Sequence, residues 1–476
     1  MTLSLPKIIQ GGMGVGVSSA QLANTVSKHG QLGVVSGTAL GLTFARRLMQ
    51  KGNDVYIEAL KHFPFKKMAE RILKRFHPKQ AEDPFKMVEM PSIHPSEDLN
   101  ELIVAANFVE VHLAKKGHQG MVGINFLEKI QFPTLASIYG AILAGVDYIL
   151  MGAGIPHRIP DVIQKLSNHE EAVYPIKVQN DLSNDIELST FSPKSFAKDE
   201  TLPKLKKPQF LAIIGSHTLA TYLMKSEFGT PDGFVVEMPI AGGHNAPPRG
   251  RYPLTESGEP IYGERDIVDF EALKALNKPF WLAGGYGHPD ALKEALSLGA
   301  VGIQVGTAFA FSNESGFEAS LKQRVLRQVL SKNIRVKTDI KASPTGFPFK
   351  VASVEGTLSE DALYASRTRI CDLGYLREAY RKENGSIGYR CPSEPVEDYV
   401  RKGGKIEDTI GRKCLCNGLV AGIGLGQKRK SNQEELPLVT SGDDLLNLSS
   451  LIHEDTYSYS AVEVLNYILT ASNPKA

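Results

Sequence analysis

The sequence predicts an α/β fold: a (β/α)8 barrel with a helical insertion and a smaller, helix-rich C-terminal domain. Three observations carry this expectation. Short apolar runs ending in Gly or small residues alternate with helix-like stretches from Lys7 to Thr307. This rhythm specifies a parallel sheet. It recurs about eight times, and the residues with chemical potential sit at the carboxyl ends of the runs, where a closed barrel gathers its loops.

The elements follow in order. Lys7–Gln10 is the first strand and leads into Gly11-Gly12-Met13-Gly14-Val15-Gly16, with a helix over Ser19–His29. Leu32–Val35 is the second strand, ending in Ser36-Gly37-Thr38. Met121–Leu127, a helix over Thr134–Ala144, and Val146–Leu150 continue the pattern. Val173–Val178, Phe210–Ile214 and Gly233–Val236 read as further strands, the last leading to Ala241-Gly242-Gly243-His244. Pro279–Leu282 and Val301–Val305 complete the set, joined by apolar residues at helical spacing over Asp290–Leu298. Residues 1–316 are therefore assigned to the barrel. Residues 50–118, charged and mostly helical in pattern, read as an insertion, and the polar stretch 180–207 as an excursion at the rim. Residues 317–455 read as a second, helix-rich domain. Within 456–476, Ser460–Leu469 has the spacing of a helix that packs back on the barrel.

Bulk composition narrows the function classes. A net charge of +2 gives no electrostatic case for nucleic acid or a membrane surface. The basic run Lys66-Lys67 with Arg71, Lys74 and Arg75 has helical spacing and reads as a solvated face. The N-terminus lacks the pattern of a signal peptide, and the apolar stretch from Pro133 to Pro156 is broken by Asp147. A soluble cytoplasmic protein is the expectation. The four cysteines, Cys371, Cys391, Cys414 and Cys416, lack the paired spacing of zinc ribbons and read as structural, so no metal site is assigned.

Two glycine-rich strand ends are the most specific chemical signal. Leu282-Ala283-Gly284-Gly285-Tyr286-Gly287 and Gly302-Ile303-Gln304-Val305-Gly306-Thr307 close neighbouring strands. Side chains are absent where backbone N–H groups would approach a ligand closely, and Thr307 adds a hydroxyl. Two adjacent turns of this kind form the phosphate site of many (β/α)8 barrels. Plain βα turns, which also favour Gly, are the alternative. The first Gly cluster fails as a dinucleotide fingerprint: the third glycine is missing and no acidic residue precedes Asp54. A backbone lying flat against a planar ligand is its chemical reading, a tight turn its plain one.

His244, following two glycines at a strand end, is the candidate for acid–base work, with Asn245 and Arg249 nearby to orient a polar substrate. A structural histidine is the plain alternative. Asn125 and Lys177 are polar residues inside apolar runs. A buried Lys needs an acceptor or anion, such as a flavin ring or a phosphate; a solvent-facing strand edge explains it equally well. The chain has no Gly-x-Ser-x-Gly elbow and no Gly-Lys-Ser/Thr phosphate loop.

Gln10-Gly11-Gly12-Met13, Ala241-Gly242-Gly243-His244, Ala283-Gly284-Gly285 and Gln304-Val305-Gly306-Thr307, in this order, resemble the nitronate monooxygenase (2-nitropropane dioxygenase-like) family. The same superfamily includes flavin-dependent enoyl-ACP reductases. Ser343-Pro344-Thr345-Gly346-Phe347-Pro348 is similar to a turn in the family's smaller domain. The resemblance implies a barrel that binds FMN non-covalently. Gly12 and Met13 would line the flavin ring, Asn125 would hydrogen-bond it, and Gly242 and Gly243 would pass close to it. Gly284, Gly285 and Gln304, Val305, Gly306 and Thr307 would hold the phosphate. His244 matches the family's catalytic histidine, which takes the α-proton of a nitroalkane before oxidation with O2 to a carbonyl compound and nitrite. The chain departs from the family at Glu237, where many members have Gln, and in Asn245-Ala246-Pro247-Pro248-Arg249-Gly250 after the histidine. Small-molecule substrates and O2 are the implied partners, and a homo-oligomer is compatible with them. An NAD(P)H-dependent enoyl-thioester reductase on the same barrel is the first alternative reading. A phosphate-binding barrel without flavin is the second.

Overall fold

The computed structural model describes residues 5–77, 84–179, 186–429 and 434–470. Eight parallel strands form the central sheet: β1 (Ile8–Gln10), β2 (Gly33–Ser36), β3 (Val122–Leu127), β4 (Tyr148–Gly152), β7 (Gln209–Ile214), β8 (Gly233–Glu237), β9 (Phe280–Ala283) and β10 (Gly302–Val305). Their order is β1-β10-β9-β8-β7-β4-β3-β2. A parallel bridge between Ile9 and Leu32 joins the two ends, with Gln10 N donating to Leu32 O at 2.9 Å. The sheet therefore closes into a barrel. Its interior is packed by Ile9, Val34, Leu150, Leu211, Val235 and Trp281, the indole N–H of which donates to Pro6 O at 2.8 Å.

The ring of helices follows from amphipathic and fully apolar segments. Ser19 caps the helix Ala20–Lys28 by accepting from Leu22 N, and Leu22, Ala23 and Val26 face the barrel. The helix Glu97–Lys115 is apolar nearly all round. It packs on the helices Ala20–Lys28, Leu40–Met49 and Thr134–Leu143. Its Glu110 accepts from Ala20 N at 2.8 Å and pairs with Arg47 at 3.2 Å. This corrects the expected insertion over 50–118. The segment from residue 97 is a barrel helix, and the added elements before it are the helices Asp54–Leu60 and Lys66–Phe76.

A second correction concerns Val173–Val178, expected as a barrel strand. It lies in β5 (Ala172–Gln179), which pairs antiparallel with β6 (Ile186–Phe191), while β4 pairs directly with β7. Beyond the barrel, β11 (Val336–Asp339) pairs antiparallel with β12 (Phe349–Ala352), and β13 (Glu378–Arg381) with β14 (Ile387–Arg390). β13 also runs parallel to β5, giving a four-stranded sheet in the order β14-β13-β5-β6. Residues 317–455, expected to be helix-rich, thus mix two strand pairs with short helices. The helix Ala461–Thr470 contacts the helices Ala20–Lys28 and Ala291–Ser297, and residues 471–476 of the expected C-terminal segment lie outside the described residues. Among the described residues no helix is long and apolar enough to cross a membrane.

Candidate active site

The carboxyl ends of the barrel strands open into one large cavity. Gly12, Met13, Asn125, Gly242, Gly243, His244, Gly284, Gly285, Gln304, Val305, Gly306 and Thr307 all line it. Lys177 does not. Its side chain is exposed on β5, paired by register with Ile186 in the outer sheet, because β5 is not a barrel strand. Lys177 is therefore withdrawn as a cofactor residue. Arg249 also points elsewhere, with its backbone N–H donating to Asp266 and its guanidinium to Thr218. Asn245 is buried and ties the loop together, donating to Ala241 O at 3.0 Å.

The β1 end is organised by a buried glutamine. Gln10 Nε2 donates to Ser18 Oγ at 2.8 Å, its Oε1 accepts from Val34 N at 3.1 Å, and Ser18 Oγ accepts from Met13 N at 2.8 Å. These bonds fix the Gly11–Val15 loop across the barrel mouth. Asn125, at the end of β3, donates to Gly12 O at 3.2 Å, and a Cβ on Gly12 would sit 2.1 Å from the Asn125 Cβ. Only glycine admits this approach.

The β9 end has a different requirement. Gly284 and Gly285 both hold φ near +85°, a conformation L side chains rarely adopt. A Cβ on Gly284 would lie 2.9 Å from Met238 O, and one on Gly285 would lie 2.5 Å from Ile240 Cδ1. The helix beyond this turn starts only at Ala291, so it does not abut the turn directly. At the β10 end a short helix begins at Thr307 with Gly306 as its N-cap.

His244 is held by residues from the second half of the chain. Its Nε2 lies 2.7 Å from Ser343 Oγ, and its ring meets Phe349 edge-on at 4.8 Å. Lys350 N donates to Gly243 O at 2.9 Å and Asn245 N to Pro348 O at 3.0 Å, so the loop runs as a short extra strand beside β12. Ser343 is fully buried and its Oγ also accepts from Thr345 N at 3.2 Å. Burial, and then the Lys129 charge, push the His244 imidazole well below its ordinary range. The ring is neutral at pH 7.

Two further ionisable groups stand beside it that sequence reasoning left without roles. Glu237, at the end of β8, lines the cavity, and burial pushes its carboxyl up to about 7 against the opposing pull of Lys129. Burial likewise pushes the Lys129 ammonium down to about 7, with Glu237 and Glu128 opposing. Lys129 Nζ lies 3.4 Å from the centroid of Phe347, on the turn that carries Ser343. Lys129 follows Asn125 by four positions on the same strand end, the only signal in the sequence for it.

Four buried oxygens lining the cavity have no hydrogen-bond partner: Asn125 Oδ1, Gln304 Oε1, Ser441 Oγ and Asp444 Oδ1. Buried polar atoms are normally satisfied, so a cluster of orphans facing one space marks a ligand site. Asn125 and Gln304 can accept from ring N–H groups, and the glycine turns leave backbone room for a phosphate. The acceptors Asn125 and Gln304 fit the N–H edge of a flavin ring. Part of the cavity lining is an apolar arm of Ile130, Phe317, Leu373, Leu376, Leu415 and Leu419. All four cysteines line a small second cavity, unbridged, and Leu373, Leu376, Leu415 and Cys416 border both spaces.

Comparison with known proteins addresses the barrel. Residues 154–345 match the family model for nitronate monooxygenase. A probable nitronate monooxygenase of Bacillus subtilis is 33% identical over 128 residues, covering 27% of this chain and 35% of the relative. A counterpart in Staphylococcus saprophyticus is 30% identical over the same length and the same shares. The chain thus spans about a third of the length of the curated relatives it matches. Two solved structures, FabK from Thermotoga maritima and nitroalkane oxidase from Streptomyces ansochromogenes, are each 14% identical. The first covers 98% of this chain and 93% of its own with a TM-score of 0.49, the second 98% and 96% with 0.45. By the family model and the curated relatives, residues 154–345 of this chain resemble the nitronate monooxygenase family.

Proposed function

We propose that this chain is a flavin-dependent oxidoreductase that holds FMN in the barrel mouth and oxidises alkyl nitronates and nitroalkanes with O2. One observation carries the reading. Unpaired buried acceptors, ligand-sized glycine turns and a desolvated histidine all face one cavity. The curated relatives are described as probable nitronate monooxygenases, and the reading extends that activity to this chain. Bound FMN would supply the electron transfer and the reaction with oxygen.

The chain's own residues supply position and proton transfer. Gly12, Met13, Asn125 and Gln304 would hold the flavin ring, and Gly284, Gly285, Gly306 and Thr307 its phosphate. His244 is neutral, so one ring nitrogen is free to accept a proton. With Nε2–H donating to Ser343 Oγ, Nδ1 is the atom that takes the proton from the acidic carbon. Ser343 and Phe349 fix the ring plane. The visible spectrum of the purified protein, alone and after incubation with FMN, tests the cofactor. A colourless protein that stays colourless overturns it.

The apolar arm favours a second reading, the reduction of an enoyl thioester with NAD(P)H. A nitroethane-sized substrate leaves the arm lined by Leu373, Leu376, Leu415 and Leu419 unused, whereas an acyl chain would fill it. Anaerobic mixing separates the two. Bleaching of bound flavin by NADPH supports the reductase, and reduction by a nitronate supports the monooxygenase.

A further inference from the structure

We propose that Thr440–Asp444, far downstream of the barrel strands, completes the phosphate end of the cavity, with the Ser441 hydroxyl as a donor to a phosphate monoester. The inference rests on the FMN reading and adds to it residues that no glycine motif indicates. Gly442 N donates to Thr307 Oγ1 at 3.2 Å across a separation of 135 positions. Thr440 Oγ1 accepts from Gly243 N at 2.9 Å, and Asp443 N donates to Ile240 O at 3.0 Å. The Asp443 carboxylate receives Lys350 Nζ at 2.6 Å, and Lys350 is itself buried and also donates to Thr338. The segment is therefore bolted to the loop after β8, to the start of the helix after β10 and to β12.

Its position explains a glycine. A Cβ on Gly242 would lie 2.8 Å from the Ser441 carbonyl carbon. The backbone of the His244 loop can pass the segment only without a side chain there. Ser441 is only 4% exposed, its Oγ has no partner, and it lines the same cavity as Gly284, Gly285 and Gly306. A buried hydroxyl left unpaired is unfavourable, and an anionic acceptor in the cavity removes the penalty. Asp444 supplies the opposing term. Its carboxyl is hydrogen-bonded to Thr307, and its Oδ1 is unpartnered at the same end of the cavity. A carboxylate there repels a phosphate dianion. The segment thus contains one group that strengthens phosphate binding and one that weakens it.

Fluorescence titration with FMN and with riboflavin, which lacks the phosphate, reads both. Ser441→Ala should weaken FMN binding by about tenfold and leave riboflavin within about twofold, the loss of one charge-assisted hydrogen bond. Asp444→Asn should tighten FMN several-fold and leave riboflavin unchanged. Adding inorganic phosphate to the riboflavin titration should restore part of the affinity in the wild type only, which distinguishes a phosphate pocket from a ribityl contact. Should Ser441→Ala fail to fold, Ser441→Cys keeps the volume, swaps the hydroxyl for a weak donor and carries the same test. Equal weakening of both flavins by the Ser441 variants, or no change in either, overturns the inference while leaving the FMN reading intact. A wild-type protein that binds neither flavin overturns both.

Discussion

The cavity has two ends built on different principles. The end proposed to take a phosphate is framed mainly by backbone: Gly284 and Gly285 in left-handed turns, Gly306 at a helix start, and strand ends paired in register around a closed barrel, with Thr307, Ser441 and Asp444 adding side chains. The far arm is made of side chains: Leu373, Leu376, Leu415 and Leu419, all from residues beyond the last barrel strand. A site built of backbone tolerates almost no substitution, because the space a Cβ needs is already occupied. A site built of apolar side chains can change size with little cost to the fold. The first end fixes what is bound there, and the second is free to set which substrate is accepted.

The sharpest way to break this contrast is at Gly284. Gly284→Val places a branched side chain where Met238 O stands 2.9 Å from the Cβ position, at a φ of +85°. We expect the purified variant to lose bound flavin, with the FMN dissociation constant raised more than about a hundredfold. Retention of colour would show that the turn is only a turn. Next in size is His244→Ala. It should keep the flavin and lose turnover of neutral nitroalkanes by about 10²–10⁴-fold, the usual contribution of a general base. Preformed nitronates, from which no proton is taken, should be far less affected, and steady-state rates on both substrates measure the difference. Because burial keeps His244 neutral well below its ordinary range, nitroalkane turnover should persist as pH falls below 6.5.

How much of this was legible in the sequence follows the same contrast. Backbone-built features are written locally, as glycines at the ends of apolar runs: Gly284 and Gly306 read as a phosphate turn from that position, whereas Gly12 and Gly242 entered as site residues only through the family resemblance. Asn125 and Lys177 carried the same signal, a polar residue in an apolar run, but the cavity includes only Asn125. The distinguishing pattern is one of burial and is masked in the chain itself, because Val173 and Pro175 on the open face of β5 are apolar. β3 is buried at successive positions, as a barrel strand must be, whereas β5 alternates, with Ala172, Tyr174, Ile176 and Val178 buried and Lys177 on the open face. Alternation marks a one-sided sheet. Ser343, Ser441 and the apolar arm were not legible as site residues. Ser441 and the arm reach the cavity, and Ser343 reaches His244, through tertiary pairing across many tens of residues, such as Gly243 with Thr440 and His244 with Ser343.

The arm offers a smaller effect that sharpens the comparison. Leu419, on the helix Leu415–Ala421, is partly buried against the cavity. Leu419→Trp fills the arm. Each methylene denied a buried position loses about 0.8 kcal/mol, so excluding two of them raises KM by roughly tenfold. The KM of a long-chain nitronate or enoyl thioester should therefore rise about tenfold while that of nitroethane stays constant. An equal rise for both would place the arm outside the substrate path.

The smallest effect lies where the two ends meet, at Glu237. Its carboxyl is raised to about 7 in the folded chain, chiefly by burial, against an ordinary value of 4.5. Between these values the folded chain holds a proton that the unfolded chain has released. The group's contribution to stability is therefore complete below pH 4.5 and is lost as pH rises through 7. Glu237→Gln has no such titration. The Tm of the variant relative to the wild type should increase from pH 5 to pH 7.5, by about 1 °C for each 1 kcal/mol of effect. Lys129 limits the gain. With Glu237 gone it loses its largest favourable charge partner, and burial pushes its ammonium lower still. A Tm difference that stays flat across this range would show that the carboxyl is solvated in the cavity and that the barrel mouth is wetter than its lining implies.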